Sequence, residues 1–396
     1  MISQNPVFVP GPTNMPDAIR KACDQPTVDH RANVFTEILL PAIEGMKKVF
    51  KTDKGRVFVF PASGSGGWEA AVANTLSPGD TVLAVSGGYF AVRWIDLCRL
   101  FGLNVKVVNS EWQSPIPVDE IARELESDRK GEIKAVLATH SETSTGVLND
   151  ILAVRRAIDG TGHEAMLFVD GVSSIASMDF RMDEWKIDVA VCGSQKGLML
   201  PAGLSIVGVS EKAFDLASSA GLPKFYFDFS AMSRAYEAGS YPYTPSAALI
   251  NGLLASTKYL LDEGLDNVFA RHHRIAEGVR RAVEAWNLEI FAEDPSSRSN
   301  AVTGITVPKG YDSGKLVRHA AEKYEVAFGV GLGEVAGKIF RIGHLGSLTD
   351  VMAISGIAAA EMAMVDLGYP VSLGSGVSAA QEFFRAAGPA EQKLAA

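Results

Sequence analysis

Along the first half of the chain, short apolar runs alternate with segments whose apolar positions recur every three to four residues. The runs are Arg56–Phe60, Thr81–Ser86, Asn104–Val108, Lys134–Thr139, Met166–Asp170, Ile187–Cys192 and Leu204–Val209. Each is short and nearly continuous in apolar residues, which predicts strands covered on both faces. The intervening segments Trp68–Leu76, Phe90–Phe101, Val118–Glu126 and Asn149–Asp159 predict helices. Strand and helix in this rhythm predict an α/β fold built on a mostly parallel sheet of about seven strands.

The rhythm changes after Pro245. A long helical pattern runs through Leu260 to Trp286, and shorter strands at Ala301–Val307 and Lys338–Ile342 flank a helix at Ser313–Tyr324. This predicts three parts: an N-terminal arm (1–20), a large domain (21–263) and a smaller C-terminal α+β domain (264–396), with Gly264 at the change. With 396 residues, 47% of them hydrophobic, the chain can bury a large core and more than one compact unit.

A net charge of −9 with no basic block argues against a nucleic-acid partner. The most apolar stretch, Leu198–Val209, is too short and too broken by Pro201 and two glycines to cross a bilayer. Three scattered cysteines, Cys23, Cys98 and Cys192, support neither a disulfide framework nor a zinc site and fit a reducing cytoplasm. The adjacent pair His272-His273 reads as a solvated helix face, since neighbours point about 100° apart and cannot share a metal; no metal is expected. The start of the chain lacks the pattern of a secretory signal, and Lys393-Leu394-Ala395-Ala396 reads equally well as native or as a cloning remnant.

Candidate chemistry collects where the predicted strands end. Asp170 closes one strand, and Lys196 follows the next, a spacing that fits one strand–crossover–strand unit of about 30 residues. Parallel strands end on one edge, so carboxylate and ammonium meet at the carboxyl rim, where open α/β sheets bind ligands. A lysine can form a Schiff base with pyridoxal phosphate while an aspartate keeps the pyridine nitrogen protonated; a structural ion pair is the plain alternative. The run Ser63-Gly64-Ser65-Gly66-Gly67 leaves the first strand and opens a helix, so its N–H groups can hold a phosphate, though glycine also serves a tight turn. Tyr89-Phe90 and the hydroxyl run Ser141-Glu142-Thr143-Ser144-Thr145 bring an aromatic face and hydroxyls to the same rim.

In these motifs, with Phe8-Val9-Pro10-Gly11-Pro12-Thr13-Asn14, Gly193-Ser194-Gln195-Lys196, Tyr241-Pro242-Tyr243-Thr244-Pro245 and Phe340-Arg341-Ile342-Gly343-His344, the chain resembles the fold-type I, class V pyridoxal-phosphate aminotransferases over nearly its whole length. The tail motifs Gly368-Tyr369-Pro370-Val371 and Gly374-Ser375-Gly376-Val377 look most like the serine-glyoxylate branch, which lies close to the alanine-glyoxylate one. The resemblance implies pyridoxal 5'-phosphate as cofactor, with Lys196 as Schiff-base lysine and Asp170 on the ring nitrogen. It implies Phe90 on the ring face, Thr143 near the ring hydroxyl, and Ser65, Gly66, Gly67 and Gln195 at the phosphate. Tyr241 and Thr244 would reach the phosphate of a second subunit in a homodimer, or a higher oligomer, with shared sites. Arg341 would clamp the substrate carboxylate, with Arg31 as the next candidate. The implied reaction is transamination of L-serine with glyoxylate, giving hydroxypyruvate and glycine. Alanine-glyoxylate or 2-aminoethylphosphonate transamination is the alternative, and a non-catalytic binding protein the alternative of another class. A cysteine desulfurase is disfavoured because Cys192 falls in a buried strand, and an inert thiol cannot attack.

Overall fold

A computed structural model describes residues 5–386, so the chain's last four residues lie outside the described part. The seven apolar runs form seven strands: β1 Arg56–Ala62, β2 Thr81–Val85, β3 Asn104–Val108, β4 Ile133–Thr139, β5 Met166–Asp170, β6 Val189–Gly193 and β7 Gly203–Val209. They make one sheet in the order β1-β7-β6-β5-β4-β2-β3. β2 pairs in parallel with β3 and β4, β4 with β5, and β5 with β6; β7 alone runs against its neighbours β1 and β6. The sheet is therefore mostly parallel, and central strands such as β5 and β6 are buried at every position. Continuous Val, Ile, Leu and Phe is what such strands require, because helices cover both faces.

The second half holds a four-stranded sheet in the order β8-β9-β11-β10, with β8 Glu289–Ile290, β9 Val302–Thr306, β10 Gly329–Val330 and β11 Ile339–Gly343. The two-residue strands β8 and β10 are too short to carry a periodic signal. The long helical pattern after Pro245 is two helices, Ala247–Glu263 and Leu265–Ala285, broken at Gly264. Its φ of +85° explains both the break and the residue.

The apolar core forms two main clusters. The larger gathers around the seven-stranded sheet from Ile19 to Val268; the second runs from Ile275 to Phe384 and includes Phe8. The change from one to the other falls within the Leu265–Ala285 helix. Phe8 explains how the arm is held: its N–H donates to Ala327 O (2.9 Å), its carbonyl accepts from Gly343 N–H (2.6 Å), and its ring stacks on Phe328.

One reading is corrected here. His272 is not solvated: it is 1% exposed, its Nδ1 lies 2.7 Å from the Val268 carbonyl, and its Nε2 accepts the Gly346 N–H at 2.9 Å. Only His273 faces outward. Adjacent helical residues diverge by about 100°, so one of the two reached the core. No helix among the described residues is long and apolar enough to cross a membrane.

Candidate active site

The strands β1, β2, β4, β5 and β6 run in one direction, so the segments that follow them gather on one rim. Asp170 ends β5, in register with Thr139 of β4 and Val191 of β6. It is buried, and its Oδ1 accepts the Val172 N–H at 2.9 Å. Burial pushes its carboxyl up to about 7, against the pull of that hydrogen bond and with the help of nearby Glu142. Lys196, in the turn after β6, is also buried, and its ammonium donates to the Pro10 carbonyl. Burial draws it down to about 8; the Arg341 charge adds to this, while Asp170 and Glu142 oppose it. An amine in that range can both give and take a proton near neutral pH.

The N-terminal arm shapes this lysine's surroundings. Gly11 lies against the lysine stem, where a Cβ would stand 2.7 Å from Lys196 Cδ and Cε, and its φ of +130° is one that side chains rarely adopt. Thr13 donates from its N–H to Gln195 O (3.2 Å) and from its hydroxyl to Lys196 O (3.0 Å). The arm thus links the second core to the turn that carries Lys196.

Arg341 comes from the other sheet, where it pairs across β11 with Gly304 of β9 and Gly329 of β10. It is 5% exposed; Nε donates to Val330 O (2.9 Å) and Nη1 to Thr143 O (2.7 Å). Burial lowers it to about 10, opposed by Glu142. What brings it to the rim is a close approach of two glycines. The hairpin Ser141–Glu142 with Val147–Leu148 follows β4, and its turn at Gly146 (φ +84°) abuts Gly304. A Cβ on Gly304 would lie 2.6 Å from the Thr145 carbonyl oxygen. Ser141 and Ser299 hydroxyls (2.7 Å) and the Ser299 N–H to Gly146 O (2.8 Å) fasten the same contact.

Helix Gly64–Thr75 starts at the rim with no side-chain cap. The Gly66 and Gly67 N–H groups return to Ser63 O (2.9 and 3.3 Å), which leaves those of Gly64 and Ser65 at the positive end of the helix. Gln195 has a buried carboxamide oxygen with no hydrogen-bond partner. Val172 joins the two places: a Cβ on Gly64 would lie 2.7 Å from its Cγ2, and one on Gly193 3.3 Å from its Cγ1. Gly67 has a packing reason for its identity, since a Cβ there would sit 2.5 Å from Val191 Cγ1 and overlap Ser205. Phe90 is partly buried in the first turn of helix Tyr89–Leu100, edge-on to Tyr89. Thr143 is buried with its hydroxyl 2.5 Å from that of Ser173. Tyr241 turns inward and donates its hydroxyl to Val59 O within its own chain, whereas Thr244 is exposed. Arg31, the reserve carboxylate clamp, is exposed.

Sequence reasoning gave Glu142 no role, although it is 1% exposed among Asp170, Lys196 and Arg341 and acts on the ionisation of all three. Its signal was an acid inside a run of hydroxyl residues between two strands. Cys192 is fully buried in β6, and burial raises its thiol far above the ordinary range.

Comparison with known proteins matches residues 10–341 to the family described as aminotransferase class-V. The L-aspartate–glyoxylate aminotransferase of Paracoccus denitrificans is 59% identical over 396 residues, the full length of both chains. The serine–glyoxylate aminotransferase of Hyphomicrobium methylovorum is 49% identical over 96% of this chain and 94% of its own. Among solved structures, pyridoxamine-pyruvate aminotransferase from Mesorhizobium loti superposes with a TM-score of 0.89 at 28% identity, covering 97% of this chain and 98% of that one. One rim gathers Lys196, Asp170 and Arg341, and the chain, matched over residues 10–341 by the family and over its full length by the Paracoccus relative, belongs to the class-V aminotransferases, with the fold-type I architecture.

Proposed function

We propose that this rim binds pyridoxal 5'-phosphate and transfers an amino group from a small L-amino acid to glyoxylate. The donor set fits the cofactor: an uncapped helix start for a phosphate, an amide N–H₂ at half-buried Gln195 that makes no hydrogen bond among the described residues, an aromatic face at Phe90, a hydroxyl at Thr143, and a buried carboxyl beside a buried amine. Ser65 and Gln195 would hold the phosphate, with Gly66 joining them once its N–H releases Ser63 O, Phe90 the ring face, Thr143 the ring hydroxyl, Asp170 the ring nitrogen, and Lys196 the aldehyde carbon. Gly67 would serve by letting the helix start close on the sheet. Bound there, the cofactor supplies an electron sink for the amino acid's α-carbon.

The chain's own part is positioning and proton transfer. Lys196 moves the proton at the α-carbon, which its depressed basicity suits. Arg341 orients the substrate carboxylate: Nε and Nη1 are committed to carbonyls, and Nη2 makes no hydrogen bond among the described residues. Burial of Lys196 and Asp170 keeps water from both. Thr244, being exposed, is the better candidate for a second copy's phosphate; Tyr241 would first have to release Val59.

The observation that carries the reading is Arg341 held against Thr143 at the rim that bears Lys196 and Asp170. Glyoxylate as acceptor rests on the two full-length relatives, which share it. For the donor, the sequence motifs favour L-serine, while the relative at 59% identity favours L-aspartate. We place L-aspartate first, because that match is both stronger and complete. The test gives purified holoenzyme glyoxylate with L-aspartate, L-serine or L-alanine and measures oxaloacetate, hydroxypyruvate and pyruvate. Oxaloacetate as the main product supports this order; hydroxypyruvate reverses it; no keto acid from any donor removes glyoxylate as the acceptor.

A further inference from the structure

Helix Tyr89–Leu100 begins at Gly88 and has no side-chain cap of its own. Its first N–H groups are nevertheless met from another strand's end. Tyr89 N–H donates to Ser144 Oγ (3.0 Å), Ala91 N–H to Glu142 Oε2 (3.1 Å), and the Phe90 N–H is directed at the same carboxyl. Ser144 donates to Glu142 Oε1 from its N–H (2.9 Å) and its hydroxyl (2.7 Å). Four donors thus converge on one carboxyl, which as a carboxylate offers about four lone-pair sites and no donor. It enters through the gap left by Gly88, where a Cβ would overlap the Glu142 side chain.

Burial pushes the Glu142 carboxyl up, and the donors from Ser144, Ala91 and Phe90 pull against it, as N–H groups at a helix N-terminus favour negative charge. Its location has a second consequence. Tyr89 and Ala91 are pinned on either side of Phe90, and Thr143 is the residue next to Glu142. One short segment therefore sets both the helix start that carries the ring and the hydroxyl beside it. The charged groups that face this carboxyl are Asp170, Lys196 and Arg341.

We propose that Glu142 is a positioning residue that caps the Tyr89–Leu100 helix from outside and thereby fixes the Phe90 ring against the cofactor plane. This rests on the reading that pyridoxal phosphate binds here with Phe90 on its face. A glutamine would keep the shape but turn an amide N–H₂ toward N–H donors, so Glu142→Gln should loosen the helix start without emptying the core.

The experiment compares holoenzymes of the parent, Glu142→Gln, Phe90→Leu and the double variant. It reads the visible circular dichroism of the bound cofactor and the rate at which each loses its visible absorbance on dilution. Glu142→Gln should lower the dichroism and release cofactor about fivefold faster, the effect of one lost cap. In the Phe90→Leu background the same substitution should change the dichroism little, because the ring through which it acts is gone. An equal change in both backgrounds, or an unchanged spectrum in Glu142→Gln, overturns the proposal. Should Glu142→Gln fail to fold, Ser144→Ala removes one arm of the cap and should move both readouts the same way by less; no movement there overturns it as well. A parent protein with no visible cofactor band would instead defeat the underlying reading.

Discussion

Lys196 shows how much a single burial does. An ammonium out of water loses hydration, and here the loss is met only in part, by the Pro10 carbonyl and the nearby Asp170 and Glu142 carboxyls, while Arg341 repels it. Lys196→Ala should therefore abolish transamination while leaving the fold intact or slightly more stable; a differential scan and a keto-acid assay check both, and wild-type-like turnover would end the assignment. Asp170 makes a pH prediction with a definite sign. Its folded carboxyl sits near 7 and its unfolded one near 3.8, so between those values the folded protein holds the extra proton. Stability from this residue is then present at low pH and lost as pH rises toward 7. In the cofactor-free protein, Asp170→Asn should melt close to the parent at pH 5 and above it at pH 8. A parent that melts higher than the variant at pH 8 would mean that Lys196 holds Asp170 ionised. Arg341 separates affinity from cofactor chemistry: Arg341→Ala should keep the visible band and raise the KM for the amino acid at least about tenfold, with lysine a poor replacement for a planar fork.

At the scale of elements, what was legible and what was not divide along one line. Elements that carry their own periodicity were readable: all seven strands of the large sheet and the helices between them lie within a few residues of their apolar patterns. So was the meeting of Asp170 and Lys196 at one rim, because parallel strands force their ends together, whereas Arg341 arrives from the other sheet. What could not be read depends on contacts between segments far apart in sequence. The two-residue strands β8 and β10 exist only by pairing. The external cap by Glu142 and Ser144 joins a hairpin to a helix some 50 positions away. The inward face of His272 depends on Gly346. The Gly146–Gly304 contact belongs to the same class and can be tested. Gly304→Ala sets a methyl against the Thr145 carbonyl, so the hairpin and the small sheet must part. Overpacking of this kind costs about 1–3 kcal/mol. Because the parting moves Arg341 away from Thr143, the KM for the amino acid should rise more than cofactor retention falls. A loss of stability with KM unchanged would show that Arg341 is held in place by its own strand.

For the whole molecule, the question is whether one chain makes a complete site. Where a phosphate is proposed to sit, the helix start offers N–H groups and Gln195 an amide, and among the described residues no cationic side chain hydrogen-bonds to either. Exposed Thr244 lies on a segment whose neighbours Tyr241 and Tyr243 are fixed by hydrogen bonds to Val59 and Tyr226, so the segment is a preformed surface. A two-fold pairing that placed this segment on another copy's helix start would complete two sites at once. Mixing defects tests this directly. Lys196→Ala removes the amine from its own site, and Thr244→Trp would block the site of the other copy. Each variant alone should be nearly inactive. After joint unfolding and reassembly, half of the pairs are hybrids, and each hybrid collects both defects in one site and leaves the other intact. The mixture should regain about a quarter of parental activity if sites are shared. If Thr244 served its own chain's site instead, every site in the hybrid would carry one defect and the mixture would stay inactive. The recovered activity therefore decides between a site built by one chain and a site built by two.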